Sequence, residues 1–232
     1  MYLAKKIVTG ALIIVLFLPS FICSGQQYRR IEASYSIKEQ LTNGDQNLQI
    51  GKVYYDLKNG HIFYNVTFPK QFTIIVSDTL MISVYKSGEK EAVAGQGMVY
   101  FSVFHLLLQG DLPYFGLQKM PYHMTDTWNE DSLVVSNWVV SEDIESSLPK
   151  IMIAQHNKRL FSFVGYDNND KIVLKQFFEN YTIVDGLAIP TEIISFYYFD
   201  EGEAINWLKL SDIILNDYSD NENYTHTVSD FL

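Results

Sequence analysis

Short runs of aromatic and β-branched residues recur along the chain from Ile31 onward. They are separated by pairs such as Asn43-Gly44, Asn59-Gly60 and Asp185-Gly186, which tolerate the positive φ angles of tight turns. This alternation is typical of antiparallel strands joined by short turns. The predicted strands are residues 31–40, 47–56, 60–67, 71–77, 80–86, 89–94, 121–128, 132–140, 150–155, 158–166, 170–180, 191–200 and 204–215.

Several of these runs have large apolar side chains at consecutive positions. Residues 73–76, 160–164 and 193–199 are of this kind. Because successive side chains of a strand point to opposite faces, both faces of the sheet need a cover at these places.

One segment between the strands predicts a helix. Residues 98–109 are apolar on nearly every side, with Gly95 and Gly97 before them and Gly110 after them. Such a helix must be buried. About 12 residues span only about 18 Å, which is too short to cover a sheet of this size. The sheet must therefore close on itself or leave an apolar cavity. Residues 110–117, which follow, are either a lid beside such a cavity or a loop packed against the core.

Two segments contain motifs whose order and spacing are informative. In residues 51–85 a glycine opens an aromatic strand, the next strand leads into Pro69, and two further strands meet at residues 76–78. In the later half, residues 172–181 are followed by the turn and proline of residues 185–190 and by a long final strand. This arrangement resembles the periplasmic lipoprotein carriers of the LolA type.

The resemblance extends from about Ile31 to Asn216 and implies a fold and a function. The implied fold is α+β, a strongly curved antiparallel β-sheet that forms an incomplete barrel with one or two helices packed in its concave face. Proteins of this type carry lipid-anchored proteins or other hydrophobic ligands without chemistry on the cargo. The resemblance therefore implies a monomeric carrier, not an enzyme, that needs no cofactor. Its expected partners are lipid or lipoprotein acyl chains, an inner-membrane releasing complex and an outer-membrane acceptor.

Two features depart from the pattern of this family. Its carriers begin with a substantial helix, whereas only residues 26–30 lie between the predicted export segment and the first predicted strand. They also tend to have a basic residue and a proline where this chain has Asn59-Gly60.

Binding of an acyl chain would depend on inward-facing apolar side chains, since each buried CH₂ contributes about 0.8 kcal/mol. Residues 98–109 would plug or gate the cavity. The candidate ligand-binding residues are Ile62, Tyr64, Val66, Phe68, Ile74, Val76, Phe101, Phe104, Leu107 and Leu108. Each of them has ordinary core packing as its alternative role, and the sequence does not decide which strand face is concave.

The first 25 residues are typical of an export signal. Lys5 and Lys6 precede an apolar run over residues 7–21, and Cys23-Ser24-Gly25 offers small side chains to a signal peptidase. We expect cleavage before Gln26 and a periplasmic location. One alternative is an uncleaved anchor, although the run is shorter than the roughly 20 residues that span a bilayer. The other is lipid attachment at Cys23, which lacks the expected small residue before it.

The charge and the cysteine content of the chain argue against several classes of function. The chain has 17 basic and 27 acidic residues, and without Lys5 and Lys6 the 15 remaining basic residues leave a net charge of −12. This balance argues against nucleic acid as a partner. Cys23 is the only cysteine, so the cleaved product would have no disulfide, thiolate nucleophile or cysteine-ligated zinc. We expect residues 26–216 to form a single domain, with residues 217–232 as a polar, acidic tail.

No metal or catalytic motif stands out in the sequence. The five histidines, none spaced three or four residues from another, are His61, His105, His123, His156 and His226. This spacing excludes a helical metal pair. Acidic clusters at residues 130–131, 142–145 and 217–222 would suit an exported hydrolase only if two of the acids faced each other across a cleft. In predicted turns and a tail, solvated charge is their usual role.

An alternative function comes from the aromatic residues. Trp128, Trp138 and Trp207, together with many tyrosines, would suit a non-catalytic surface module that binds glycan or protein through an aromatic platform. The interior of such a module would be filled by its own side chains.

Overall fold

The computed structural model of the protein describes residues 27–95 and 97–225, which form one antiparallel sheet of thirteen strands and two α-helices. The predicted export segment, residues 1–25, and the end of the predicted tail, residues 226–232, lie outside the described residues. The elements are β1 (Arg30–Gln40), β2 (Gln46–Asp56), β3 (His61–Phe68), β4 (Phe72–Val76), β5 (Leu80–Tyr85), β6 (Lys90–Ala94), α1 (Val103–Gln109), β7 (Tyr122–Glu130), β8 (Leu133–Val140), β9 (Lys150–His156), β10 (Arg159–Tyr166), β11 (Ile172–Val184), β12 (Leu187–Phe199), β13 (Gly202–Leu215) and α2 (Glu222–Thr225). Neither helix is long or apolar enough to cross a membrane.

The order of the strands explains how the sheet is built. The order is β6-β5-β4-β3-β2-β1-β13-β12-β11-β10-β9-β8-β7, so β6 and β7 are the two edges. The chain moves outward from β1 to β6, crosses to the opposite edge at β7, and returns strand by strand to β13, which pairs with β1. The sheet is open and curved, which confirms the predicted fold class.

Each of the predicted strands is present, and the largest differences are in β11 and β12. These strands extend to Val184 and from Leu187, whereas the sequence predicted an end at residue 180 and a start at residue 191. The reason is a two-residue turn in which Asp185 and Gly186 both have positive φ, which lets the ladder continue to the end of the hairpin. Pro190 is accommodated opposite Tyr181, beside an irregularity at Asn180, which has φ of 52°.

The main core lies on the concave face, against which α1 packs. Alternate residues of β1, namely Ile31, Ala33 and Tyr35, are buried there, and Val53 and Tyr55 of β2 stand beside them in register. The period of two explains this placement, because residues two apart along a strand share a face. On the convex face Tyr54, Ile75 and Ile82 are also buried, and Ile75 belongs to the predicted apolar run of residues 73–76.

Residues 217–225, which the sequence predicts as the start of a polar tail, contact the convex face. Asn59 Nδ2 donates a hydrogen bond to the Tyr224 carbonyl oxygen at 2.5 Å. The Tyr224 ring lies edge-on to Tyr54, with centroids 5.5 Å apart. The guanidinium of Arg30 lies 4.6 Å from the ring centres of both Tyr218 and Tyr224.

Candidate functional site

Residues 97–121 cross from β6 towards β7 over the concave face, and we call them the cover. Within it, α1 begins at Val103, five residues later than the sequence predicts. Ser102 caps the helix: its Oγ accepts a hydrogen bond from His105 N–H at 3.2 Å and donates one to the Val99 carbonyl at 2.6 Å. A serine in an apolar run is a weak helix former but a strong N-cap, so the helix begins after it.

The helix ends as predicted, at Gln109, and is followed by its C-cap residue, Gly110. This residue has φ of 74°, and its N–H bonds to the Leu107 carbonyl at 3.1 Å. Five of the seven residues of α1 are buried, as expected for a helix that is apolar all round: Val103, Phe104, Leu106, Leu107 and Leu108.

Aromatic side chains connect α1 to β1, β2 and β3. The Phe104 ring centre lies 6.5 Å from that of Tyr64, which is itself 5.2 Å from that of Tyr35. Burial raises the pKa of Tyr64, and it raises the pKa of Tyr35 to about 12. Both phenols therefore remain neutral at ordinary pH.

His105 is the polar contact of α1 with the sheet. Its Nδ1 is 2.6 Å from the hydroxyl of Tyr55, and the Tyr100 ring lies edge-on to the imidazole at 5.1 Å. Burial lowers the pKa of His105, against the opposing effect of the Asp111 and Asp78 carboxylates. The neutral imidazole is therefore favoured in the folded protein.

The rest of the cover packs on the second half of the sheet. It contains two 3₁₀ turns, Leu112–Tyr114 and Leu117–Lys119, whose leucines are buried. The Phe115 ring centre lies 4.6 Å from that of Phe163, and Gln155 Nε2 donates to the Pro113 carbonyl at 2.7 Å. Residues 110–117 are therefore packed against the core through their leucines, and Phe115 lines the cavity described next.

A mainly apolar cavity of about 350 Å³ lies between the cover and the sheet. The cover contributes Phe101, Phe115, Leu117 and Met120, and half of the other lining residues come from β9, β10 and β11. The remaining lining residues are Tyr122, Ser146, Ser147, Leu148, Ile151, Phe163, Leu174 and Gln176.

A second cavity of about 210 Å³ adjoins the first and shares Phe101, Phe115 and Gln176 with it. It lies nearer to the middle of the sheet. Its other lining residues are Tyr64, Ser102, Val103, Phe104, Phe178, Ile193, Ser195, Tyr197, Asn206 and Leu208.

The predicted ligand-binding residues are distributed unevenly around these cavities. Phe101 lines both, and Tyr64 and Phe104 line the second. Leu107 lines a separate hollow of about 170 Å³ at the far end of α1. Six other predicted residues, which line neither cavity, are Ile62, Val66, Phe68, Ile74, Val76 and Leu108. Of these, Phe68 is 48% exposed, and the rest are buried or half-buried.

None of the candidate residues predicted from the sequence lies on the cavity wall that strands β9–β13 provide. Phe163, Leu174 and Phe178 lie there, together with the polar Gln176 and Ser195. The signal available was the alternation of residues 174, 176 and 178, which share one face of a strand. The sequence alone does not show that this face lies opposite the cover, because that depends on the order and register of the strands across the sheet.

The structure does not bring the three tryptophans together. Trp138 is buried in the core, whereas Trp128 and Trp207 lie on β7 and β13, which are separated by five strands. The acidic residues Glu130, Asp131, Glu142, Asp143 and Glu145 are exposed in or beside turns. Among residues 27–95 and 97–225, no group of three His, Cys, Asp or Glu side chains is placed to hold a metal ion.

No family model and no curated protein matches the sequence. Solved structures do match the fold. A LolA superfamily protein from Nitrosomonas europaea is 16% identical, with a TM-score of 0.57 over 89% of this chain and 93% of its own. The protein has a LolA-like fold.

Two further structures share this LolA-like fold. A DUF1329 family protein from Desulfovibrio piger is 10% identical, with a TM-score of 0.61 over 88% of this chain and 92% of its own. A domain from Vibrio parahaemolyticus, provisionally named for outer membrane lipoprotein sorting, is also 10% identical, with a TM-score of 0.58 over 85% and 89%. These similarities confirm the predicted resemblance at the level of the fold.

Proposed function

We propose that the protein is a periplasmic carrier that binds the acyl chains of lipoproteins, or another hydrophobic ligand, and moves them towards the outer membrane. The observation that carries this proposal is the apolar cavity of about 350 Å³ between the cover and the sheet. The proposal includes export directed by residues 1–25, action as a monomer without catalysis, and exchange with an inner-membrane releasing complex and an outer-membrane acceptor.

The size and lining of the cavity support binding of a hydrocarbon chain. An apolar cavity of about 150 Å³ already admits benzene in a well-packed protein. Roughly ten methylenes transferred from water would contribute about 8 kcal/mol before ordering costs. No charged contact is needed for this gain, so a wall of aromatic and aliphatic side chains is sufficient.

Phe101 is the residue that we expect to control entry. It is 47% exposed although it lines both cavities, and it belongs to the short turn that precedes α1. A ligand that enters from solvent would displace it first. Tyr64 and Phe104 from the predicted set, with Phe115 and Phe163, would then contact the chain.

Non-denaturing mass spectrometry of the purified protein, followed by titration with a fluorescent fatty acid, tests the proposal. We expect co-purified lipid or uptake of the fatty acid. Phe101→Asp should abolish uptake because it places a carboxylate at the cavity mouth. Phe68→Asp is the matched control, since Phe68 is equally exposed but lines neither cavity.

The alternative function, a filled interaction module, makes the opposite prediction. A clean unliganded mass with no uptake by the wild-type protein would favour it. Uptake that persists in a folded Phe101→Asp variant would show that the chain binds elsewhere.

A further inference from the structure

A row of polar side chains crosses the concave wall of β11, β12, β13 and β1. Gln176, Ser195, Asn206 and Glu39 stand directly opposite one another on these four neighbouring strands. We call these four residues the polar row. Gln176 lines both cavities, and Ser195 and Asn206 line the second.

The next row of the same face, towards α1, is entirely apolar. It runs in register across the same four strands and consists of Phe178, Ile193, Leu208 and Ile37. On the other side of the polar row, Leu174, Tyr197 and Ala204 stand in register on β11, β12 and β13. The polar row is therefore a strip of hydrogen-bonding groups in a wall that is otherwise mainly apolar. This arrangement suits an amphiphile whose head lies at the polar row.

Two hydrogen bonds connect the residues of the polar row. Gln176 and Glu39, at its two ends, still have oxygen atoms that can accept a further hydrogen bond. Gln176 Nε2 donates to Ser195 Oγ at 3.0 Å, and Asn206 Nδ2 donates to Glu39 Oε1 at 3.3 Å. The Glu39 carboxylate can only accept hydrogen bonds, and none of the ion pairs of the described residues involves it. Gln176 Oε1 is buried and has no hydrogen-bond partner among these residues.

An unpaired buried acceptor is unfavourable and is stabilised by a donor that reaches it. We propose that the polar row binds the head of an acylated ligand and selects heads that carry N–H or O–H donors. Amide-linked and hydroxyl-bearing acyl compounds are the class expected. A free carboxylate would bring another acceptor and a negative charge towards Glu39, which disfavours it. This inference rests on the proposed function, because the chain must occupy the cavity for its head to reach the row.

Three ligands with the same acyl chain separate the effect of the head from that of the chain. Dodecanoyl ethanolamide has two donors, methyl dodecanoate has no donor and no charge, and dodecanoate is anionic. Their affinities are measured by displacement of the neutral fluorescent probe N-phenyl-1-naphthylamine. We expect the ethanolamide to bind roughly fivefold more tightly than the ester, the gain of one net hydrogen bond. Dodecanoate should bind most weakly.

Variants of the polar row test the assignment of the two acceptors. Gln176→Leu should lower the ratio of ethanolamide to ester affinity, because it removes the Gln176 acceptor. Gln118→Leu, at an exposed position of the cover, is its control. Glu39→Gln should strengthen binding of dodecanoate, whereas Glu203→Gln, an exposed carboxylate of β13, should not.

The outcomes distinguish this inference from the proposed function. Equal wild-type affinities for ethanolamide and ester, or an unchanged ratio in Gln176→Leu, would overturn head selection while chain binding stands. Failure of the protein to bind the probe and all three ligands would overturn both. If circular dichroism shows that Gln176→Leu is unfolded, the nearly isosteric Gln176→Met replaces it and should lower the ratio for the same reason.

Discussion

At the scale of single residues, the buried ion pair on the convex face has the largest expected effect on stability. Arg30 Nε lies 2.5 Å from Asp56 Oδ2, and both side chains are buried. Asp56 Oδ1 also accepts a hydrogen bond from the Lys58 N–H at 2.7 Å. Asp56→Ala would leave a buried guanidinium without its carboxylate, so it should lower the free energy of unfolding by about 3–5 kcal/mol.

Urea unfolding followed by tryptophan fluorescence measures this loss. The control is Asp200→Ala, because Asp200 pairs with Lys171 at 2.9 Å but is almost fully exposed. That pair should contribute less than about 1 kcal/mol. Equal effects of the two substitutions would contradict the importance of burial.

His105 gives the fold a dependence on pH. Because burial lowers its pKa below the ordinary value of 6.5, protonation is favoured in the unfolded chain. The contribution of neutral His105 is therefore complete above pH 6.5 and is lost as the pH falls towards its pKa in the folded protein. Urea midpoints should decrease between pH 7.5 and pH 5.5 in the wild type, and this decrease should be smaller in His105→Gln. His156→Gln, which changes an exposed histidine, should retain the wild-type slope.

At the scale of elements, the strands were predictable because their signals are local. The alternation of apolar residues and the positive-φ turn pairs fix a strand within a few residues, as β1 and β8 illustrate. The predicted start of α1 was wrong because Ser102 lies inside a run that is apolar on nearly every side. Its role as N-cap depends on the hydrogen bond that its Oγ accepts from the backbone N–H of His105, which only the folded structure shows.

The N-cap of α1 can be tested directly. Ser102→Ala removes the acceptor of the His105 N–H and should lower the free energy of unfolding by about 1 kcal/mol. Ser132→Ala, in the exposed turn between β7 and β8, should change it by less than about 0.5 kcal/mol. Both values follow from urea denaturation at fixed pH. A loss of less than about 0.3 kcal/mol in Ser102→Ala would show that packing alone determines where α1 begins.

At the scale of the whole molecule, local patterns in the sequence could not predict which residues line the cavity. Its walls come from residues that are distant in the chain, such as Phe101 of the cover and Leu174 of β11, and their approach depends on the order of thirteen strands. The sequence predicted an uncovered apolar face, but it placed most candidate residues on β3 and β4. The sheet places the described cavities nearer to β9–β13, because the cover runs towards β7.

Ligand binding should therefore stabilise the molecule as a whole, since the chain would contact the cover and the sheet together. Dodecanoyl ethanolamide at a hundred times its Kd should contribute about 2.7 kcal/mol if it binds only the folded state. For a domain of this size that corresponds to a rise in Tm of about 5–10 °C, measured by differential scanning calorimetry. Phe101→Asp should show no rise, and Phe68→Asp should show the full rise. A Tm that stays constant in the wild type at a concentration shown to saturate binding would mean that the compound binds the unfolded chain as tightly as the folded protein. This result would contradict a site between the cover and the sheet, because such a site exists only when both are folded.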